Sequence, residues 1–131
     1  MKVSFDFDST LDRSDVQDLA RKLVQLGHQV WIVTSRFSDS EILERNWHHL
    51  KSQNQKVFRI AQECGISKDH IHFTNMQSKS VFLKGKGFRF HLDDDSIELL
   101  DILESKDECL AVNVEQSDWL QTCLSAVGYE L

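Results

Sequence analysis

The chain has 131 residues, a formal net charge of −6, and 40% hydrophobic against 27% charged residues, the make-up of one soluble domain spanning 1–131 with a single core. No apolar run approaches the ~20 residues that cross a bilayer, and the acidic balance disfavours a nucleic-acid surface, whose affinity comes mainly from Lys and Arg neutralising phosphates. Cys64, Cys109 and Cys123 are odd in number and lack metal-ligand spacing, which fits reduced thiols in a cytoplasmic protein and argues against a disulfide framework.

The chain opens directly on a strand, so no secretory or transit segment is expected. Val3, Phe5 and Phe7 alternate with Ser4, Asp6 and Asp8, a period of two that predicts a strand ending at the carboxylates. Asp6 and Asp8 then point the same way, with Cα atoms roughly 6.5–7 Å apart. Two like charges that close require a cation between them or a proton on one. Asp-x-Asp at a strand end also simply begins a turn, so the weight rests on what later segments supply.

Asp12 or Ser14 can cap a helix over 15–26, with Val16, Leu19, Leu23 and Leu26 as its apolar stripe and Gly27 as its stop. Residues 29–34 are an apolar run typical of a parallel strand buried on both faces, ending in Thr34-Ser35-Arg36. The pattern weakens over 37–54, where a short helix is expected over about 41–50. Val57, Ile60 and Ala61 lie on one face of a helix reaching Cys64, with Gly65 as its stop. A short third strand over 71–73 ends near Thr74-Asn75, and a brief helix over 79–84 follows. The fourth strand, 88–92, runs into Asp93-Asp94-Asp95, after which Ser96 is the expected cap of a helix over 97–104. A fifth strand over 109–114 and a helix over 117–127 close the chain.

Strands alternating with helices predict an α/β, three-layer Rossmann-like domain: a central parallel five-stranded sheet flanked by helices. In such sheets ligands sit outside the carboxyl ends of the strands at the topological switch point, where Asp6, Asp8, Thr34 and Asp94 would gather. No glycine-rich phosphate cradle is present.

The ordered set Asp6-x-Asp8-x-Thr10, Thr34-Ser35-Arg36, a lysine at a helix start and Asp93-Asp94, spread over residues 5–95, resembles the haloacid dehalogenase superfamily, specifically its aspartate-nucleophile phosphatases. The resemblance implies that Asp6 takes the phosphoryl group as an aspartyl-phosphate. Asp8 then serves as general acid and later base, with its pKa raised while Asp6 stays ionised beside the metal. It further implies a Mg²⁺ ion on an Asp6 oxygen, the Asp8 backbone carbonyl and Asp94. Thr34 would hydrogen-bond a phosphoryl oxygen, and Lys79 would balance negative charge. Asp93 would orient Lys79 or a metal-bound water, and Thr10 would support the loop. Ser35 and Arg36 are candidate substrate contacts, Arg36 as a clamp for phosphate or carboxylate.

Lys79 is preferred over Lys84 and Lys86 because it stands 14 residues before Asp93, the spacing the resemblance implies. His48-His49 and His70-x-His72 lack a carboxylate partner at ligand spacing and read as surface or partly buried residues. Trp31 reads as core, and Trp47 and Trp119 as packing residues. There is no room for a full cap domain, so the site should be open, with a small phosphorylated metabolite or nucleotide as substrate. Residues 37–54 are the candidate partial lid, and a second subunit is the other candidate cover. The competing expectations are a receiver-like phosphoacceptor, disfavoured because the third strand ends in Thr74-Asn75 rather than an acceptor Asp, and an inert binding module of the same fold.

Overall fold

Five short apolar runs pair into one sheet in the computed structural model, which describes residues 1–129. They are β1 (Lys2–Phe5), β2 (Gln29–Thr34), β3 (Ile71–Phe73), β4 (Phe88–Asp93) and β5 (Leu110–Asn113). Every neighbouring pair is parallel, in the order β3-β2-β1-β4-β5. Parallel neighbours need crossovers, and helices supply them on both faces: α1 (Ser14–Gln25), α2 (Asp39–Glu44), α3 (Gln55–Cys64), α4 (Lys79–Leu83), α5 (Ser96–Glu104) and α6 (Trp119–Ala126). The chain winds outward from β1 through β2 to β3, then returns to β1's other side for β4 and β5. The switch point therefore lies between β1 and its neighbours, where the expected fold class places a ligand.

The larger core lies on the face covered by α1, α3 and α6. It joins Val3, Phe5, Phe90 and Leu92 of the sheet to Leu19 and Leu23, Val57 and Ile60, and Cys123 and Leu124. The smaller core, Val33, Leu83, Phe88, Ile102 and Cys109, lies under α4 and α5. Phe88 and Phe90 are two residues apart yet belong to opposite faces, because β4 carries an extra residue. Lys2 pairs with Phe88, but Ser4 pairs with His91. This bulge resets the parity of β4 against β1, so Ser4 and Asp6 share the α4 face with His91 and Asp93.

Helix ends differ from the sequence expectation by a residue or two, for local reasons. At α5 the cap is Asp95, not Ser96: its Oδ1 accepts the Ile97 amide at 2.9 Å. Neither Asp12 nor Ser14 caps α1; Arg13 occupies that position without a side-chain cap. Gly65 ends α3 in the left-handed region at φ 79°, and a Cβ there would meet Val24 Cγ1 at 3.2 Å.

The helix expected over 41–50 is two pieces. Ser38 caps α2, Asn46 at φ 56° breaks the run, and a single 3₁₀ turn follows at His48–Leu50. The segment is tied down: the buried Asn54 amide donates to the Phe37 carbonyl at 2.8 Å and to Asp39 at 2.9 Å. Trp31, expected in the core, is only partly buried and stacks on His70 with centroids 4.6 Å apart. No helix among the described residues is long and apolar enough to cross a membrane.

Candidate functional site

At the carboxyl ends of β1 and β4 the ladder continues for one more bond, the Asp6 amide donating to the Leu92 carbonyl at 2.9 Å. Asp6 and Asp93 thus come side by side on one face, beneath the first turn of α4. Lys79 opens that helix, its amide held by Glu98 of α5 at 2.9 Å. The Lys79 ammonium donates to Asp6 Oδ1 at 2.8 Å and to Asp93 Oδ2 at 2.6 Å. All three side chains are buried, Lys79 at 2% exposure, so this is an ion cluster taken out of water and not a surface pair. Thr10, also buried, donates to Asp6 Oδ2 at 3.4 Å.

Asp94, partly exposed, completes an acidic group. One oxygen each from Asp6, Asp93 and Asp94 lie within 4.8 Å of one another. Ligand oxygens on one octahedral Mg²⁺ stand ~3–4 Å apart, given Mg–O distances of ~2.0–2.1 Å, so a small hard cation fits this donor set with slight closure. Asp93 is the least available of the three. Its Oδ2 already accepts from Lys79 and from His91 Nε2, and its Oδ1 accepts the Asp95 amide at 3.0 Å. Asp94, and Asp6 through the Oδ2 that takes only the long Thr10 bond, are therefore the carboxylates better placed to serve a cation.

The charges sort by environment. Burial, then the neighbouring Asp93 charge, pushes the Asp6 carboxyl up to about 8 against the pull of Lys79. Burial also opposes ionisation of Asp93, but His91 and Lys79 outweigh it and hold that carboxyl well below the ordinary range. Burial pulls the Lys79 ammonium down, and Asp6 with Asp93 more than restores it. Asp94 is raised, chiefly by burial.

Asp8 departs from expectation in both placement and charge. The strand stops at Phe5, and Phe7–Leu11 forms a wide turn with Ser9 in the left-handed region at φ 60°. Asp8 is carried to the exposed lip of the cleft, where Arg36 grips it with two bonds, Nε to Oδ2 at 2.9 Å and Nη2 to Oδ1 at 2.7 Å. Those bonds, with Arg36's charge, overcome burial and lower the Asp8 pKa. Asp8 is thus lowered where a raised carboxyl was expected, and without a metal the raised carboxyl is the buried Asp6. Arg36 also donates through Nη1 to the Gln53 carbonyl at 2.6 Å, so one guanidinium ties Asp8 to the segment over 37–54.

Of the hydroxyl pair, Ser35 lines the cleft with Asp6, Asp8, Lys79 and Asp94. Thr34 is fully buried, and its Oγ1 accepts the Arg36 amide at 3.3 Å. Lys84 is exposed, and Lys86 turns back to the Phe82 carbonyl, so neither enters the site. His48 and His49 are exposed, while His72 stacks on Phe82 with centroids 3.7 Å apart.

Two polar residues under the site were given no role by the sequence. Ser4 and His91 are completely buried and hydrogen-bonded at 2.7 Å. Their one signal was a polar side chain within a strand of a sheet expected to be covered by helices on both faces. Comparison of the chain with protein-family models, with curated proteins and with solved structures returned no match.

Proposed function

We propose that the chain is a Mg²⁺-dependent phosphomonoesterase of the haloacid dehalogenase type that works through an aspartyl-phosphate on Asp6. The observation that carries this reading is the meeting of Asp6, Lys79, Asp93 and Asp94 at the switch point of a parallel sheet. These residues come from three distant parts of the chain, and a buried lysine between two acids has little reason to exist as packing alone.

Asp6 and Asp94 would hold the Mg²⁺ ion, which supplies charge neutralisation for the phosphoryl oxygens and lets a carboxylate exist at Asp6. An Asp6 oxygen attacks phosphorus as the bond to the ester oxygen breaks, and the leaving oxygen takes a proton from Asp8. Asp8, now ionised, accepts a proton from water, whose oxygen attacks phosphorus. The bond to Asp6 breaks, and inorganic phosphate leaves. The Arg36 pair matches the ionised Asp8 of the second half. The first half requires a protonated Asp8, released from that grip.

Lys79 has three N–H donors and spends two on Asp6 and Asp93, leaving one for a phosphoryl oxygen. Ser35 is the hydroxyl placed to accompany it, and Thr34 shapes the turn that presents Ser35 and Arg36. The polar, open cleft favours a small phosphorylated metabolite or nucleotide. Three unpaired, buried cysteines suit a cytoplasmic setting.

The test is phosphate release from an aryl phosphate with and without Mg²⁺. Wild-type protein should turn over only with the ion, and Asp6→Asn should lower the rate on the order of 10³-fold or more. Turnover that survives Asp6→Asn rejects the nucleophile, and turnover indifferent to a chelator rejects the ion.

A further inference from the structure

A row of buried polar groups continues beneath the site. Ser4 Oγ lies 2.7 Å from His91 Nδ1, and His91 Nε2 lies 2.8 Å from Asp93 Oδ2. Ser4, His91 and Asp93 are all at 0% exposure, out of reach of any substrate. A carboxylate paired with an ammonium accepts and does not donate, so Nε2 carries a hydrogen toward Asp93. On the neutral ring Nδ1 then accepts from the Ser4 hydroxyl at 2.7 Å, a shorter contact than the 3.5 Å from Ser4 Oγ to the Phe90 carbonyl.

This row has a cost that apolar side chains would avoid, since a buried imidazole and hydroxyl must be fully bonded to be tolerated. What it secures is Asp93. With Lys79 and His91 on Oδ2 and the Asp95 amide on Oδ1, that carboxylate is fixed from three directions. The Lys79 ammonium sits on a flexible four-carbon stem, and its other anchor, Asp6, is the group that would change charge on taking a phosphoryl group. A second anchor that stays put is needed to hold it. The β4 bulge brings His91 level with Ser4, directly below the Asp6 and Asp93 pair.

We propose that Ser4 and His91 are positioning residues that act through Asp93 to hold the Lys79 ammonium in place. Its chemical consequence rests on the phosphatase reading; the mechanical coupling of His91 to Lys79 does not. In His91→Gln the side-chain amide stands where Nε2–H does and keeps the bond to Asp93. In His91→Asn the amide stands where Nδ1 does and falls short.

The experiment compares these two variants, each with and without Lys79→Met, by Mg²⁺-dependent aryl phosphate turnover and by metal-free thermal unfolding. His91→Asn should lower kcat about 10- to 100-fold with little change in KM, and His91→Gln should restore most of it. The melting shifts of His91→Asn and Lys79→Met should be non-additive, the second change costing less once the first is made. Equal kcat for all three versions of residue 91, equal losses in both variants, or additive melting shifts overturns the inference. Absence of Mg²⁺-dependent turnover in the wild type overturns the phosphatase reading instead, and the melting cycle alone then decides whether His91 is coupled to Lys79. Should His91→Asn not fold, Ser4→Ala serves: kcat reduced about threefold at unchanged KM supports the inference, and wild-type kcat overturns it.

Discussion

The Lys79 ammonium donates to Asp6 at 2.8 Å across 73 residues of sequence, and both side chains are buried. Removing Lys79 takes the ammonium from a buried cluster in which Asp93 is held ionised, leaving that charge only His91 and the Asp95 amide as partners. Lys79→Met should therefore destabilise the protein by about 3–5 kcal/mol at neutral pH, more than a large-to-small change at an ordinary surface site. Urea unfolding with an unchanged m-value measures it. A loss below ~1 kcal/mol would mean that Lys79 is not what holds the buried Asp93 carboxylate ionised.

The raised Asp6 carboxyl sets a pH dependence with a definite sign. Unfolded, the group loses its proton near 3.8; folded and metal-free, it keeps it up to about 8. Between those values the unfolded state binds fewer protons, so this residue's contribution to stability falls as pH rises. Asp6→Asn cannot ionise, and its amide oxygen can still accept from Lys79. The variant should gain on the wild type as pH goes from 5 to 8.5, in thermal melts without metal. A gap that is flat with pH would show Asp6 already ionised in the folded protein.

The parallel sheet and the placing of Asp6 and Asp94 at its carboxyl edge were legible in the sequence, because each follows from where an apolar run stops, while Lys79 and Asp93 joined them through the family resemblance. Lys79 was preferred over Lys84 and Lys86 by the spacing to Asp93 that the resemblance implies, and it is the lysine that reaches the acids. What failed were the consequences of pairing between strands. The bulge that puts Phe88 and Phe90 on opposite faces has no local signature in Phe88-Arg89-Phe90. The partnership of Ser4 with His91 depends on that register. The lowered Asp8 and the raised, metal-free Asp6 have the same origin: burial and the grip of Arg36 are tertiary facts, 28 residues apart in the Arg36–Asp8 case, and no period in the chain encodes them.

The Asp6 and Asp94 carboxylates make a binding prediction separable from catalysis. Mg²⁺ should raise the melting temperature, with stabilisation approaching ~2.7 kcal/mol at one hundred times the dissociation constant. Asp94→Asn should weaken binding about tenfold or more while leaving the metal-free melting temperature nearly unchanged, since Asp94 is only partly buried. Calorimetric titration of wild type and variant with MgCl₂ checks both. Equal affinity in the two would remove Asp94 from the ion's ligands.

Arg36 is the remaining lever, because its guanidinium holds Asp8 by two bonds and the Gln53 carbonyl by a third. The lowered Asp8 pKa means that this pair adds stability above the unfolded value near 3.8 and loses it as pH falls through the folded value. Asp8 is exposed, so solvent screening keeps the contribution below about 1 kcal/mol. Arg36→Gln should raise the Asp8 pKa, read by carboxyl carbon NMR, and the stability gap from wild type should close below pH ~4. The same variant frees the Gln53 carbonyl, so amide exchange should quicken in the segment over 37–54 and not in α5, on the other side of the cleft. Exchange that quickens equally in both would mean that Arg36 supports the fold at large, and would remove it as the tie between the Asp8 turn and that segment.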